Sequence, residues 1–375
     1  MGTLGARTVG VEEELLLVDV TTGRPRSVAG RVVDAVAARQ PDDVGPEGGV
    51  EGELQRYMVE TQSSVCTDLA DVERELRDWR HAVSVAAREA GAGSAALGTA
   101  PVAGDGLITP KPRYLRMAKR FGPTAEEVLT CGSHVHVGVA SSEEGVAVID
   151  RIRGWLPVVL ALSANSPFSD GRDTGYASYR SQLWVRWPSA GPTELFGTVE
   201  AYEALVRSMV DSGVLLDDGM IYFDARLSPR YPTVEIRVAD VCRDLDDTMV
   251  VAGVCRALVE IAARSAAQGE PPLALPTALL RLAAWRAGHD GVDGELVDPV
   301  TQRPAAAAVV VGRLLDHIRP ALSSLGDLER VEAGIWRLLV DGSGATRQRR
   351  TYARTGQLVD VVAEAVRLSA GHVDA

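Results

Sequence analysis

Five separate stretches of this chain alternate apolar residues with ionisable ones, and that pattern limits the fold more than any other feature of the sequence. Successive side chains of a β-strand point to opposite faces, so alternation reads directly as two faces. In YPTVEIRVAD, Thr233, Glu235 and Arg237 share one face, while Val234, Ile236 and Val238 share the other. Just upstream, Tyr222, Asp224 and Arg226 alternate with Ile221, Phe223, Ala225 and Leu227. One such strand would be an ordinary half-solvated strand with cross-strand ion pairs. Charge on one face of strand after strand implies a sheet covered by helices on its apolar side, with a concave polar face left for ligands.

The other alternating stretches are Val9–Val18, Gln55–Thr61 and Cys131–Val139. Parity places Glu12 beside Glu14, His134 beside His136, and Glu60 with Arg56 and Met58. Glu13 interrupts the apolar face of its strand, and the pattern assigns it no role. Glu53 lies seven residues before Glu60, so a regular strand would turn it away; only a bend brings it to the same face. The anionic candidates are thus Glu12, Glu14, Glu53, Glu60 and Glu235, with His136 as an imidazole ligand. A set this rich in oxygen suits Mg²⁺ or Mn²⁺ better than zinc. So many carboxylates repel one another unless cations are bound, so more than one metal ion is expected.

Lysine occurs only at Lys111 and Lys119, and no GxxxxGK phosphate loop is present. Any nucleotide must therefore be held by metal and arginine. The balance of 39 Lys+Arg against 51 Asp+Glu, a net charge of −12, opposes binding to nucleic acid or to anionic membranes. The four cysteines, Cys66, Cys131, Cys242 and Cys255, form no CxxC pair and read as reduced thiols of a cytoplasmic protein. With 46% hydrophobic residues the 375-residue chain has ample core material.

Helical periodicity fills the rest: Val28–Arg39, Leu69–Glu89, Glu143–Ser163, Val199–Asp211 and Asp246–Ala267, then Thr277–Arg286, Ala305–His317, Leu328–Val340 and Gln357–Leu368. Thr67, Ser142 and Thr198 are the expected caps, and Gly91 ends the Leu69 helix. The expected fold class is α+β, one catalytic domain over 1–375 with an all-helical part, 270–375, packed on it. A homo-oligomer is compatible with this reading.

The order of motifs resembles the glutamate–cysteine ligase type 2 family, among the glutamine-synthetase-like carboxylate–amine ligases. The matching stretches are GVEEELLLVD from Gly10, the Glu53–Glu60 pair, GTAP from Gly98, CGSHVHVG from Cys131 and LSANSPFSDGRDTGYASYR from Leu162. RWPSAGP from Arg186, MIYFDARLSPRYPTVEIRVADV from Met220, DGVDGELVDP from Asp290 and GATRQR from Gly344 complete the set. The resemblance implies a funnel of mainly antiparallel strands wrapped by helices, as in glutamine synthetases and guanidino kinases. It implies Glu12, Glu14, Glu53, Glu60, His136 and Glu235 as ligands of metal ions bridging the phosphates of ATP. Arg226 and Arg237, with Glu235, would act on the transferring phosphoryl group, and Arg180, Arg347 and Arg349 would contact nucleotide or substrate. The reaction would join a carboxylate, the γ-carboxylate of L-glutamate, to L-cysteine or another amine through an acyl phosphate. A metal-dependent hydrolase built on HxH and the acids would need more metal-binding histidine than six residues supply. A catalytically silent nucleotide-binding paralogue would be expected to lack one of the ligands, and none is missing.

Overall fold

The computed structural model describes residues 7–39 and 48–371. Its strands, in chain order, are β1 (Val9–Val18), β2 (Gly49–Gly52), β3 (Met58–Gln62), β4 (Gly93–Ala95), β5 (Gly132–Gly138), β6 (Phe168–Ser169) and β7 (Arg172–Asp173). They continue with β8 (Ala225–Leu227), β9 (Thr233–Asp240), β10 (Glu295–Val297) and β11 (Pro304–Ala306). Seven of them form one antiparallel sheet in the order β2-β3-β1-β5-β9-β8, with β4 paired to the end of β1. All four of the longer alternating strands are therefore neighbours, and their polar residues fall on one surface.

The apolar face is closed by the helix Leu245–Ala267, which is buried almost all round. A helix hydrophobic on every side belongs inside a protein, and its Val250, Val254 and Leu258 share one core with Val11, Val135, Val137, Val234 and Ile236. The helices Ala307–Leu325 and Leu328–Asp341 extend that core through Val310, Leu314, Val331 and Ile335. A second cluster, with Leu15, Leu17, Val59, Val83 and Val362, fills the β3–β4 side.

Several expected elements differ. The stretch Glu143–Ser163 is two helices, Ser142–Ile152 and Leu156–Ser163, broken at 153–155 because Pro157 sits in the second helix's first turn, where no amide donor is needed. The caps that accept backbone N–H groups are Asp68, Ser141 and Thr198, so two lie one residue from the expected positions. Residues 270–375 are not all helix, since the β10–β11 hairpin interrupts them. Residues 221–224 are not strand, and β8 begins only at Ala225. The helices Pro112–Phe121 and Gly344–Thr355 escape the sequence reading because their polar, arginine-rich faces lack a wide apolar stripe. Among the described residues no helix is long and apolar enough to cross a membrane.

Candidate active site

The register of the sheet sets the site. Glu14 faces Glu60 across β1–β3 and Glu12 faces His134 across β1–β5. His136 faces Glu235 across β5–β9, and Glu235 faces Arg226 across β8–β9. In the β5–β9 ladder Ser133 pairs with Ala239 but Val135 with Ile236, so Arg237 and Val238 together oppose one residue, His134. Such a β-bulge re-aims side chains. Here Arg237 lies against the rings of Trp184 and Tyr222, 5.9 Å from each centroid.

These residues line a cavity of about 720 Å³. Glu53 joins them from the connection between β2 and β3, where its carbonyl is held by the Thr109 hydroxyl at 2.6 Å. That connection is the bend its parity required. Ligand atoms converge in three overlapping groups, each within 4.8 Å: Glu12, His136 and Glu235; Glu12, Glu60 and His134; Glu14, Glu53 and Glu60. All six anticipated metal-ligand candidates are thus brought together. His134 joins the converging atoms although only His136 was counted as a ligand; the parity that put both imidazoles on one face was the available signal.

Charge is finely divided here. Burial opposes the Glu12 anion, but hydrogen bonds and charge from His134 and His136 hold its carboxyl well below the usual range. His134 Nδ1 lies 3.0 Å and His136 Nε2 3.2 Å from Glu12. Burial and the Arg237 charge push His134 down to about 4, while Glu12 outweighs burial and raises His136. Burial and the Glu53 charge push Glu14 up to about 7 and Glu60 well above the carboxylate range. Arg237 and Arg226 overcome burial and keep Glu235 ionised. Arg226 grips Glu235 with two hydrogen bonds, 2.7 and 3.2 Å, and Arg237 binds it as well.

The donor set fits hard divalent cations: buried carboxylates that cannot all ionise alone, converging with the His136 imidazole. Two further observations bound the site. Glu13, left without a role by the sequence, is fully buried behind the sheet on Arg80, with Thr248 donating to it. Cys131 is buried, and burial with the Glu14 charge pushes its thiol well above its usual range, which suppresses the nucleophilic thiolate.

Arg180, Arg347 and Arg349 do not line this cavity. Arg347 binds Asp244 and Asp247, and Arg349 binds Asp173 and the Tyr176 carbonyl, all outside this cavity. Both belong to the polar Gly344–Thr355 helix, whose charges fasten it to its neighbours. Arg180 packs on the Trp184 ring and reaches the carbonyls of Arg237 and Val238, and it lines a second, adjoining cavity. Asp224, expected on the same face as Arg226, also turns to that second cavity because the strand starts after it. Tyr222, Trp184, Lys111 and Arg113 line the first cavity from segments with no strand.

The model of glutamate–cysteine ligase family 2 matches residues 8–364. The chain belongs to glutamate–cysteine ligase family 2. It is accordingly an ATP-dependent ligase that forms C–N bonds between a carboxylate and an amine. A Streptomyces avermitilis protein provisionally named glutamate–cysteine ligase 2-1 is 52% identical over 97% of this chain and 100% of its own. A Streptomyces coelicolor protein provisionally named glutamate–cysteine ligase 2 is 50% identical over 96% of this chain and 98% of its own. Among solved structures, the fold is shared with glutamate–cysteine ligase of Francisella tularensis in complex with AMP, at TM-score 0.72 and 12% identity, covering 98% of this chain and 89% of that one. The Pup ligase PafA, solved with the ubiquitin-like protein Pup, shares it at TM-score 0.55 and 14% identity, covering 96% and 71%.

Proposed function

We propose that this family 2 ligase activates a carboxylate as an acyl phosphate at the sheet cavity and passes the acyl group to an amine. The observation that supports it is the convergence of three ligand groups, two of carboxylates with an imidazole and one of carboxylates alone, with Arg226 and Arg237 on one face of the sheet. Glu12, Glu14, Glu53, Glu60, His136 and Glu235, joined by His134, would hold Mg²⁺ or Mn²⁺, more than one ion per site. Such cations supply charge neutralisation of the phosphate oxygens. A carboxylate oxygen attacks the γ-phosphorus, the bond to the β-phosphate oxygen breaks, and ADP leaves. The amine nitrogen then attacks the acyl carbon, the C–O bond to phosphate breaks, and phosphate and a proton depart.

The chain's own part is positioning and charge. Glu235 fixes two guanidinium groups side by side, and Arg237, carried out by the bulge, places its charge where phosphoryl oxygens gain it. No nucleophilic side chain is required, consistent with the buried Cys131. By its relatives' names, glutamate and cysteine are the first pair to try, glutamate through its γ-carboxylate as the motif resemblance implies. The four free, buried cysteines support a cytoplasmic setting. A hydrolase has no observation in its favour, and a silent nucleotide binder would sit poorly with a complete ligand set.

The decisive experiment supplies ¹⁸O-labelled carboxylate substrate with ATP and an amine. An acyl phosphate transfers one labelled oxygen to the released phosphate, and unlabelled phosphate alongside amide product would refute the intermediate. Absence of ATP-dependent product across a panel of amino acids and amines would refute the reaction.

A further inference from the structure

A second cavity, of about 380 Å³, shares Trp184, Trp187 and Arg237 with the first. Its volume falls in the range of small-molecule sites. Much of its wall is apolar, with Leu156, Leu160 and Trp285 facing Trp184 and Trp187. Besides Arg180 and Arg237, that wall carries two more ionisable side chains, the acid Asp224 and the base Arg281, and the charges of Arg180 and Arg281 both act on the Asp224 carboxyl. Neither the Asp224 nor the Arg281 side chain makes a hydrogen bond or ion pair with another described residue. Arg180, 2% exposed, forms part of the wall with its Nε lacking any partner.

An unpaired carboxylate in a largely apolar cavity is costly unless a cation reaches it. Burial accordingly pushes the Asp224 carboxyl up to about 7. A carboxylate and a guanidinium left unpaired in one pocket complement a molecule carrying both an ammonium and a carboxylate. The Asp224 carbonyl accepts the Arg237 N–H at 2.9 Å, so this acid sits directly beside the arginine that both cavities share.

We infer that the second cavity seats the amine substrate, an α-amino acid whose ammonium meets Asp224, whose carboxylate meets Arg281 and whose apolar side chain lies among Leu160, Trp184 and Trp285. This rests on the ligase reading above and deepens it: carboxylate and ATP enter one cavity, the amine the other, and they meet at Arg237. The apolar wall and the room available favour a branched or aromatic side chain over a small one.

The test titrates L-leucine, L-phenylalanine, L-cysteine and isopentylamine into the full chain without ATP, following the fluorescence of the three tryptophans that line the cavity. L-Leucine or L-phenylalanine should give saturable binding tighter than L-cysteine. Asp224→Asn should weaken it about tenfold or more, the loss expected for a hydrogen bond to a charged group. Arg281→Met should do the same for the amino acids yet leave isopentylamine, which lacks the carboxylate, unaffected. Arg281 is exposed, so its variant should fold even where Asp224→Asn does not. In turnover assays, both changes should raise KM for the amine and spare KM for ATP. No binding of any probe, binding indifferent to both substitutions, or a KM effect confined to the carboxylate substrate would overturn the assignment. Failure of the ligase reading looks different: amino acids would bind here while no pair supported phosphate release or amide formation.

Discussion

Arg80 holds Glu13 through two hydrogen bonds, 2.7 Å from Nε and 2.6 Å from Nη2, in a place where neither side chain meets solvent. One residue further along β1, Glu14 points through the opposite face into the cavity. The strand thus uses adjacent glutamates for different ends, one to fasten the helix Leu69–Glu89 to the back of the sheet and one to face ligand. Removing one member of a buried ion pair strands the other, at about 3–5 kcal/mol. Glu13→Gln should therefore lower unfolding stability by about that much in urea titration. The double variant Glu13→Met with Arg80→Met should recover a large part of the loss, because no charge is left uncompensated. A Glu13→Gln protein as stable as wild type would show that the pair contributes nothing.

Cations should matter to the fold as well as to the reaction. Burial and mutual repulsion keep Glu14 and Glu60 from ionising freely, so ions that bind the native arrangement should stabilise it by mass action. Mg²⁺ or Mn²⁺ should raise the melting temperature, excess chelator should abolish turnover, and Glu60→Gln should blunt both responses. Full activity in excess chelator would remove the metal assignment.

A thiol plays no part in the proposed chemistry. Cys131→Ser should retain substantial ligase activity, measured as amide product per folded molecule, since its buried sulfur carries little thiolate. Complete loss of turnover in a folded Cys131→Ser protein would require a different mechanism.

Much of the cavity was legible because strand parity is a two-state rule. Once β1, β5 and β9 are recognised, Glu12, Glu14, His134, His136, Glu235 and Arg237 fall on one face with no further information. Glu53 was legible as a condition, a bend, which the β2–β3 connection meets. What parity could not supply was tertiary partnership. Nothing local distinguishes Glu13, whose partner Arg80 is 67 residues away, from a solvated acid. Nor does GATRQR reveal that Arg347 is spent on Asp244 and Asp247, about a hundred residues upstream, while Arg349 meets Asp173. Asp224 was misplaced for a related reason: its alternating sequence precedes the first strand residue, so the rule was applied where no strand forms.

Glu235 and Arg237 carry the sharpest test. Glu235 is 2% exposed and is the common anchor of Arg226 and Arg237, besides lying within 4.8 Å ligand reach of Glu12 and His136. Glu235→Gln keeps volume and a hydrogen-bonding oxygen but removes the anion, so both guanidinium groups lose their fixed placement at once. Charge positioned for a transition state acts on rate, and the loss should appear mainly in kcat, on the order of a hundredfold or more. Arg237→Lys keeps the charge but loses the planar fork that binds Glu235 and lies against Trp184 and Tyr222, so it should be strongly impaired too. Melting curves taken beside the kinetics separate this from simple unfolding, because a structural ion pair would lower stability and leave kcat per folded molecule intact. If both variants turned over ATP, carboxylate and amine at near wild-type rates, the two residues would be a structural pair, and the phosphoryl group would have to be met by Arg226 or by the cations alone.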